Sequence, residues 1–105
     1  MNDFVKIGGK RVGKGYPVFI VVEIGVCHEQ NIEVALGFVD KAKDAGADAI
    51  KVEAFQADDF VLDRSLSHTY GTTNGQVTEN YYDLLKRLEL NFDQIKRIKE
   101  RADEL

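Results

Sequence analysis

Val18-Phe-Ile-Val-Val-Glu-Ile-Gly-Val-Cys-His28 carries the strongest signal for the fold of this chain. Positions 17–22 are all apolar, and the run then ends in a carboxylate, a glycine and a histidine. A continuous apolar, β-branched run predicts a strand over 18–23 that is buried on both faces, as in parallel sheets. Because α/β enzymes keep their chemistry at the carboxyl ends of such strands, Glu23 is a candidate catalytic residue. The alternative is a hydrogen-bonded acid that only steadies the loop.

The residues that follow complete a strand–helix–strand unit. Apolar residues at helical spacing predict an amphipathic helix over 32–45, with Asn31 as its N-cap and Gly46 after its end. Ala49-Ile-Lys-Val-Glu53 predicts a second strand. A right-handed crossover makes the two strands parallel.

The flanking segments set the domain organisation. Gly8-Gly9 predicts the turn of a hairpin lid within residues 1–17, and residues 18–55 hold the βαβ unit. Residues 56–105 are expected to form a loop and helices. Two parallel strands and three helices leave both sheet edges open, so we expect an incomplete (β/α) domain, or one completed by association.

The last segment divides into a loop and two longer helices. The mixed polar sequence of 56–78 predicts a long loop with one helical turn near 57–61. Thr78 is the expected N-cap of a helix that continues to about Leu88. Asn91 with Gln94 resembles a capping box and predicts the start of another helix.

Composition excludes several classes of function. The 105-residue chain has a net charge of −4 and no cluster of basic residues with interleaved aromatics, which argues against nucleic acid as a partner. No apolar run approaches the ~20 residues of a membrane span. The single cysteine, Cys27, excludes an intramolecular disulfide. No signal peptide is visible, and the single cysteine together with this absence indicates that the protein works in the reducing cytoplasm.

Charged residues on the second strand point to a site beside Glu23. Lys51 and Glu53 share one face of that strand because side chains alternate. Two charges cannot face packed helices without large cost, so we expect them in a barrel interior or a cleft. Such a set can bind a phosphate or carboxylate through Lys51 while a carboxylate orients hydroxyls or moves protons. The alternative is a structural salt bridge across the strands.

The remaining polar motifs are less informative. His28, in the loop after the first strand, can act as donor, base or ligand, or only as a hydrogen-bonding scaffold. It lacks metal-type spacing to His68, so no metal ligand is assigned. Catalysis by Cys27 with His28 is rejected, because neighbouring loop residues usually point apart and no third partner is evident. Asp58-Asp59 is interpreted as a helix start or a solvated pair.

Five short motifs occur in order along nearly the whole chain. They are Lys6-Ile-Gly-Gly-Lys-Arg-Val-Gly13, Glu23-Ile-Gly-Val-Cys-His28, Ala45-Gly-Ala-Asp-Ala-Ile-Lys51, Phe55-Gln-Ala-Asp58 and the segment from Tyr81 to Leu90. With these motifs, the chain resembles the N-terminal part of the N-acetylneuraminate (sialic acid) synthase family. That family includes the legionaminate, pseudaminate and spore-coat polysaccharide synthases.

The resemblance implies a partial (β/α)8 TIM barrel and a transferase. The expected reaction condenses phosphoenolpyruvate with an N-acylated amino sugar such as N-acetylmannosamine and releases phosphate. It implies that Glu23 and Glu53 lie near the sugar and that Lys51 contacts phosphoenolpyruvate. We also predict His28 as a substrate-binding residue. The resemblance also implies a divalent metal, manganese or magnesium, that polarises the acceptor carbonyl.

Departures from the family pattern limit this expectation. Cys27 stands where the family usually has Asn, and Glu53 where it usually has Gln; a second carboxylate repels an anionic substrate. A full barrel needs roughly 250 residues, so we expect this chain alone to be inactive. The family's metal ligands and its C-terminal antifreeze-like domain are expected beyond it. The alternatives are a non-catalytic partial-barrel module that acts as a homo-oligomer or with a partner chain, and an unrelated phosphate-binding barrel fragment.

Overall fold

A computed structural model describes residues 3–105 as three two-stranded sheets and four helices. The strands are β1 (Phe4–Ile7), β2 (Lys10–Gly13), β3 (Val21–Gly25), β4 (Ala49–Val52), β5 (Ser67–Thr72) and β6 (Gly75–Asn80). The helices are α1 (Ile32–Asp44), α2 (Ala57–Phe60), α3 (Tyr81–Leu88) and α4 (Phe92–Glu104). This mixture confirms the predicted α/β class. None of the helices within residues 3–105 is long and apolar enough to cross a lipid bilayer.

The predicted βαβ unit is confirmed. Strands β3 and β4 pair in parallel, with Val22 opposite Ile50, and α1 is the crossover between them. Helix α1 begins where the Asn31 side chain accepts two backbone N–H bonds, and it ends before Gly46, whose φ is +85°. These are the predicted cap and stop, since the Asn31 side chain satisfies otherwise unpaired donors and Gly46 adopts the left-handed conformation at little cost.

The prediction of a first strand over 18–23, buried on both faces, is wrong in two respects. Strand β3 begins only at Val21, and Val18 before it is 80% exposed. Helices α1 and α4 cover one side of the β3–β4 pair, where Ile24 is 3% exposed. Among residues 3–105 no element packs on the opposite side, and there Val21 is 46% exposed. The sheet therefore has one buried and one open face.

The buried core is small and lies between this sheet and two helices. It consists of Ile24, Ala35, Val39, Leu90 and Ile98. The radius of gyration is 17.2 Å. A compact domain of about 100 residues has a radius of roughly 13 Å, so the two hairpins extend well away from this core.

The predicted N-terminal hairpin is confirmed for the residues that the structure describes; residues 1 and 2 of the predicted segment lie outside them. Strands β1 and β2 are antiparallel and turn at Gly8-Gly9, where both glycines have positive φ. Asp48 attaches this hairpin to the βαβ unit: it pairs with Lys10, and its Oδ2 accepts the Ile20 N–H at 2.8 Å. These two partners lower the pKa of Asp48, the Lys10 ammonium more than the backbone N–H.

The predicted loop over 56–78 is correct only in part. The helical turn near 57–61 is confirmed as α2. Residues 67–80, however, form a second antiparallel hairpin, β5–β6, in which Thr72 pairs with Gly75 across a two-residue turn. Gly75 has φ +110°, a conformation that glycine adopts readily. The strand pair is exposed along most of its length, so its residues are polar and their composition did not indicate strands.

Thr78 is not the cap of the third helix. It lies within β6, with its hydroxyl 2.7 Å from that of Thr69 on β5. Asn80 is the cap: its Oδ1 accepts the Asp83 N–H at 3.0 Å, and its Nδ2 donates to the Arg64 carbonyl at 2.7 Å. The hairpin therefore runs directly into α3.

The predicted capping box at the start of α4 is confirmed. The Asn91 side chain accepts the Gln94 N–H at 2.8 Å, and the Gln94 side chain accepts the Asn91 N–H at 2.9 Å. Each residue thus satisfies a donor that the first turn of the helix leaves unpaired.

Replacement of Asn80 tests which residue starts α3. We expect Asn80→Ala to reduce the free energy of unfolding by about 1 kcal/mol, because both a helix cap and a bond to the Arg64 carbonyl are lost. The matched control Thr78→Ala removes only an exposed hydroxyl pair and should stay within about 0.5 kcal/mol of the unsubstituted chain. Urea unfolding of both variants provides the measurement. A larger loss for Thr78→Ala would contradict this assignment.

Candidate active site

Glu23 and Lys51 form an ion pair on the open face of the β3–β4 sheet. They are directly opposite each other in the parallel register, and Lys51 Nζ donates to Glu23 Oε1 at 2.8 Å. Both side chains are more than half exposed, at 64% for Glu23 and 57% for Lys51. The structure thus brings together two of the residues predicted from the sequence.

The electrostatic environment keeps Lys51 in its charged form. The hydrogen bond and charge of Glu23 raise the pKa of the Lys51 ammonium, and the charge of Glu53 adds a smaller effect in the same direction. Glu53 comes directly after β4 and is exposed. A lysine between two carboxylates gives this face a net negative charge with one cation at its centre.

Strand geometry explains why these charges share a face. Side chains alternate along a strand, so in β4 Ile50 and Val52 pack against the helices while Lys51 points away from them. In β3 the buried Ile24 and the exposed Glu23 alternate in the same way. Both strands run in the same direction, so Glu23 and Glu53 lie near the same, carboxyl-terminal edge of the sheet.

His28 lies in the interior, unlike the other predicted site residues. Its side chain is 1% exposed, and its Nδ1 accepts the Gln30 N–H at 2.9 Å. Burial lowers the pKa of the imidazole below its ordinary value of 6.5, and an interaction with the Gly25 backbone partly opposes that shift. In this structure the ring holds the loop that follows β3, and binding of a substrate by His28 stays a prediction.

Cys27 and His28 point in different directions, as predicted for neighbouring loop residues. Cys27 is exposed and its thiol donates to the Ile24 carbonyl, whereas the His28 ring is buried. No contact between the thiol and the imidazole brings them together as a catalytic pair within the described residues.

The loop after β3 is tied to the connection between α3 and α4. The Gln30 side chain donates to the Glu89 carbonyl at 2.8 Å, and the Glu89 carboxylate accepts the Ala57 N–H at 2.8 Å. The Ala57 N–H, together with nearby Lys86, lowers the pKa of Glu89. Glu29 and Gln30 both have positive φ, at 52° and 61°. Sequence reasoning missed this role of Glu89, because nothing near it in the sequence indicates its distant partners.

The residues in 3–105 do not supply a metal site. Within this range, no three His, Cys, Asp or Glu side chains come together in a way that could hold an ion. Asp58 and Asp59 lie in the first turn of α2, which confirms their interpretation as a helix start; Asp58 also accepts hydrogen bonds from Tyr82 and Arg64 and lies 3.4 Å from Lys86. Asp58 therefore links α2 to α3. No chemical step of this chain is assigned to a metal.

The chain is an α/β protein that carries a charged cluster at the carboxyl-terminal edge of a parallel strand pair. Comparison with known proteins then identifies the family. The model of the NeuB family matches residues 38–105, and the chain belongs to this family.

Individual relatives agree with this assignment. An uncharacterized protein of Methanocaldococcus jannaschii is 36% identical over 101 residues, covering 96% of this chain and 26% of that protein. The N,N'-diacetyllegionaminic acid synthase of Legionella pneumophila is 35% identical over 106 residues, covering 100% of this chain and 30% of the synthase. The chain therefore spans less than a third of the length of these relatives.

A solved structure shows the same fold. The N-acetylneuraminic acid (sialic acid) synthetase from Leptospira borgpetersenii, crystallised with citrate, superposes with a TM-score of 0.73 at 27% sequence identity. The match covers 96% of this chain and 30% of the synthetase chain. The α/β fold of residues 3–105 is therefore similar to that of part of a sialic acid synthetase.

The buried imidazole of His28 predicts a specific pH dependence of stability. Its lowered pKa means that the unfolded chain binds the proton more readily, so the free energy of unfolding should fall as the pH decreases below 6.5. The full contribution is present above that value. It is lost as the pH falls from 6.5 through the lower pKa of the folded state.

Urea unfolding at a series of pH values between about 7.5 and 5 measures this effect. The variant His28→Gln should be less stable near neutral pH and should lose less stability on acidification, because it has no imidazole to protonate. Other titrating groups are common to both proteins and cancel in the difference. Parallel pH profiles for the two proteins would rule out the proposed role of His28 burial.

Proposed function

We propose that this chain forms the N-terminal part of the (β/α)8 barrel of a sugar-acid synthase. The reaction joins phosphoenolpyruvate to an N-acylated amino sugar such as N-acetylmannosamine and releases phosphate. The observation that carries the proposal is the Glu23–Lys51 pair on an uncovered sheet face, at the carboxyl-terminal edge of two parallel strands. Active sites of barrel enzymes occupy this edge. Membership of the NeuB family supports the reaction class.

Lys51 is the residue assigned to phosphoenolpyruvate. Its ammonium is held in the charged form by its neighbours, and phosphate and carboxylate groups are the natural partners of such a cation. More than half of its side chain is accessible. An incoming anion must compete with the carboxylate of Glu23, so binding of phosphoenolpyruvate and release of Glu23 are coupled.

Glu23 and Glu53 are the residues assigned to the sugar. When Lys51 turns to the phosphate, the Glu23 carboxylate becomes free to accept hydrogen bonds from sugar hydroxyls or to take up a proton. Glu53 adds a second carboxylate close to the same cation. Two acids repel a second anion, so this arrangement favours an uncharged, hydroxyl-rich acceptor over an anionic one.

The uncovered sheet face also supports completion by further polypeptide. The exposed Val21 lies two residues before Glu23 on the same face of β3, and the radius of gyration is large for the chain length. In the proposed barrel, further strands would close around this face. Association into a homo-oligomer is the other way to cover this face. We further propose that the reaction takes place in the cytoplasm.

Substitution of Lys51 tests the assignment of phosphoenolpyruvate. In the protein expressed from its complete coding sequence, Lys51→Gln should raise the KM for phosphoenolpyruvate roughly tenfold to hundredfold, because a charge-assisted bond is lost. The matched control Lys41→Gln removes an exposed lysine of α1 and should leave this KM unchanged. Equal KM values for the two variants would refute the role of Lys51.

The isolated 105-residue chain provides a second test. Mixed with phosphoenolpyruvate, N-acetylmannosamine and Mn²⁺, it should release no phosphate above background, because residues 3–105 hold neither a metal site nor a closed barrel. Mass spectrometry of the reaction mixture provides the readout. Repeated turnover by this chain would show that the site is complete as it stands.

Light scattering of the same sample tests the alternative of a self-associating, non-catalytic module.

A further inference from the structure

Glu53 lies in a segment that the strand pairing does not hold. The parallel ladder of β3 with β4 ends one residue before Glu53, whereas Lys51 lies inside it. Residues 53–56 continue without regular secondary structure to the start of α2. Within residues 3–105, neither Ala54 nor Phe55 makes a hydrogen bond. The position of Glu53 therefore depends on what holds the chain after it.

The first anchor after that segment is a hydrogen bond from Ala57 to Glu89. Ala57 is fully buried, and its backbone N–H donates to Glu89 Oε2 at 2.8 Å. Because Ala57 begins α2, this N–H has no acceptor within its own helix. A bond from a backbone N–H to a carboxylate is charge-assisted and stronger than one between neutral groups. Glu89 therefore supplies the acceptor that allows the Ala57 N–H to be buried.

Glu89 is itself firmly held. Its N–H donates to the Leu85 carbonyl at 2.9 Å, and its carbonyl accepts the Gln30 side chain at 2.8 Å. The next residue, Leu90, belongs to the buried core. The Glu89 side chain is only 18% exposed, and its other carboxylate oxygen lies 2.9 Å from Lys86 Nζ. A side chain fixed in this way can determine the position of a distant segment.

The contacts of Glu89 bring together the two segments that leave the strand pair. Its carbonyl binds the loop after β3 through Gln30, and its carboxylate binds the segment after β4 through Ala57. Both segments start at the same edge of the sheet, because the two strands are parallel. One residue beyond the end of α3 therefore fixes the separation of these two segments.

A second contact keeps α2 in place when the Glu89 carboxylate is removed. Asp58 accepts hydrogen bonds from Tyr82 on α3 and from Arg64. Loss of the carboxylate would therefore leave α2 on α3 but deprive the buried Ala57 N–H of its partner. An unpaired buried N–H is costly, so the chain before α2 must shift until water reaches that group. The shift falls on the segment that carries Glu53.

We propose that Glu89 is a positioning residue that keeps the Glu53 carboxylate beside Lys51 by anchoring the chain at Ala57. Glu89 acts through Glu53 and not on a substrate. The assignment of Glu53 to the sugar rests on the proposed function, whereas the anchoring of residues 53–57 does not. Because the strand ladder holds Lys51 independently, removal of the Glu89 carboxylate should displace Glu53 and leave the cation in place.

Kinetics of the protein expressed from its complete coding sequence tests this role. Glu89→Ala removes the acceptor and should raise the KM for N-acetylmannosamine roughly threefold to tenfold, with the KM for phosphoenolpyruvate unchanged. Glu89→Gln keeps an acceptor oxygen and should restore most of the affinity for the sugar, since Lys86 can turn to Asp58, 3.4 Å away. The matched control Glu100→Ala removes an exposed glutamate of α4 and should leave both KM values unchanged.

Hydrogen exchange of the same proteins, followed by mass spectrometry, measures the anchor directly. In Glu89→Ala, the peptide that contains residues 53–57 should include an amide that exchanges roughly tenfold faster than in the unsubstituted protein, because the Ala57 N–H has lost its acceptor. The exchange of this peptide in Glu89→Gln and Glu100→Ala should match that of the unsubstituted protein.

The pattern of KM values separates positioning from a purely structural role. Partial unfolding would lower the apparent kcat and leave both KM values as they are. If product forms but Glu89→Ala does not raise the KM for the sugar, or raises both KM values equally, the positioning role is overturned and the proposed function stands. Equal losses in Glu89→Ala and Glu89→Gln would also overturn it, because the amide oxygen would then fail to replace the carboxylate.

Hydrogen exchange decides the anchor if the protein forms no product. The proposed function then fails. Faster exchange of residues 53–57 in Glu89→Ala, but not in Glu89→Gln, would still support the anchoring by Glu89. Equal exchange in all variants would overturn it.

Discussion

The parallel pairing of β3 with β4 determines which side of the sheet is buried and which side carries charge. Their crossover helix packs on one side of the pair, so the alternating apolar residues of both strands must face that side. The same alternation directs Glu23 and Lys51 to the other side, directly opposite each other. One register therefore determines both the small core and the charged pair. A shift of one residue in either strand would bury a charge and expose the core.

Longer connections hold both ends of this strand pair in place. Asp48 ties the first hairpin to the start of β3, and Glu89 links the far end of α3 to the start of α2 and, through its carbonyl, to Gln30. The buried His28 ring fixes the turn after β3 by accepting the Gln30 N–H. The contacts of Asp48 and Glu89 join residues that are 28 to 59 positions apart in sequence, and the bond from Gln30 to Glu89 holds the loop after β3 beside an otherwise open sheet face.

Local signals were sufficient for much of the fold. The Asn31 cap, the Gly46 stop, the Gly8-Gly9 turn and the Asn91–Gln94 capping box depend on neighbours within a few residues, and the structure confirms each of them. The second hairpin had such a signal too. The dipeptide Asn74-Gly75 is typical of a tight turn, and in the structure Thr73 and Asn74 form the turn while Gly75 begins β6; the polar composition of 67–80 favoured the interpretation as a loop. The prediction of Thr78 as the N-cap of α3 was wrong, because the pairing of β5 with β6 extends to Asn80.

Periodicity and capping act over a few residues, so the amino-acid sequence was enough to predict the α/β class, the βαβ unit and a shared face for Lys51 and Glu53. It also placed Glu23 near Lys51, since parallel strands bring their carboxyl ends to one edge. The packing of the elements shows what the sequence did not: His28 is buried, Glu23 and Lys51 are exposed, and His68 and Arg87 line a cleft with the loop after β3. Burial and long-range contacts depend on which elements pack together, and no local pattern in the chain specifies that packing.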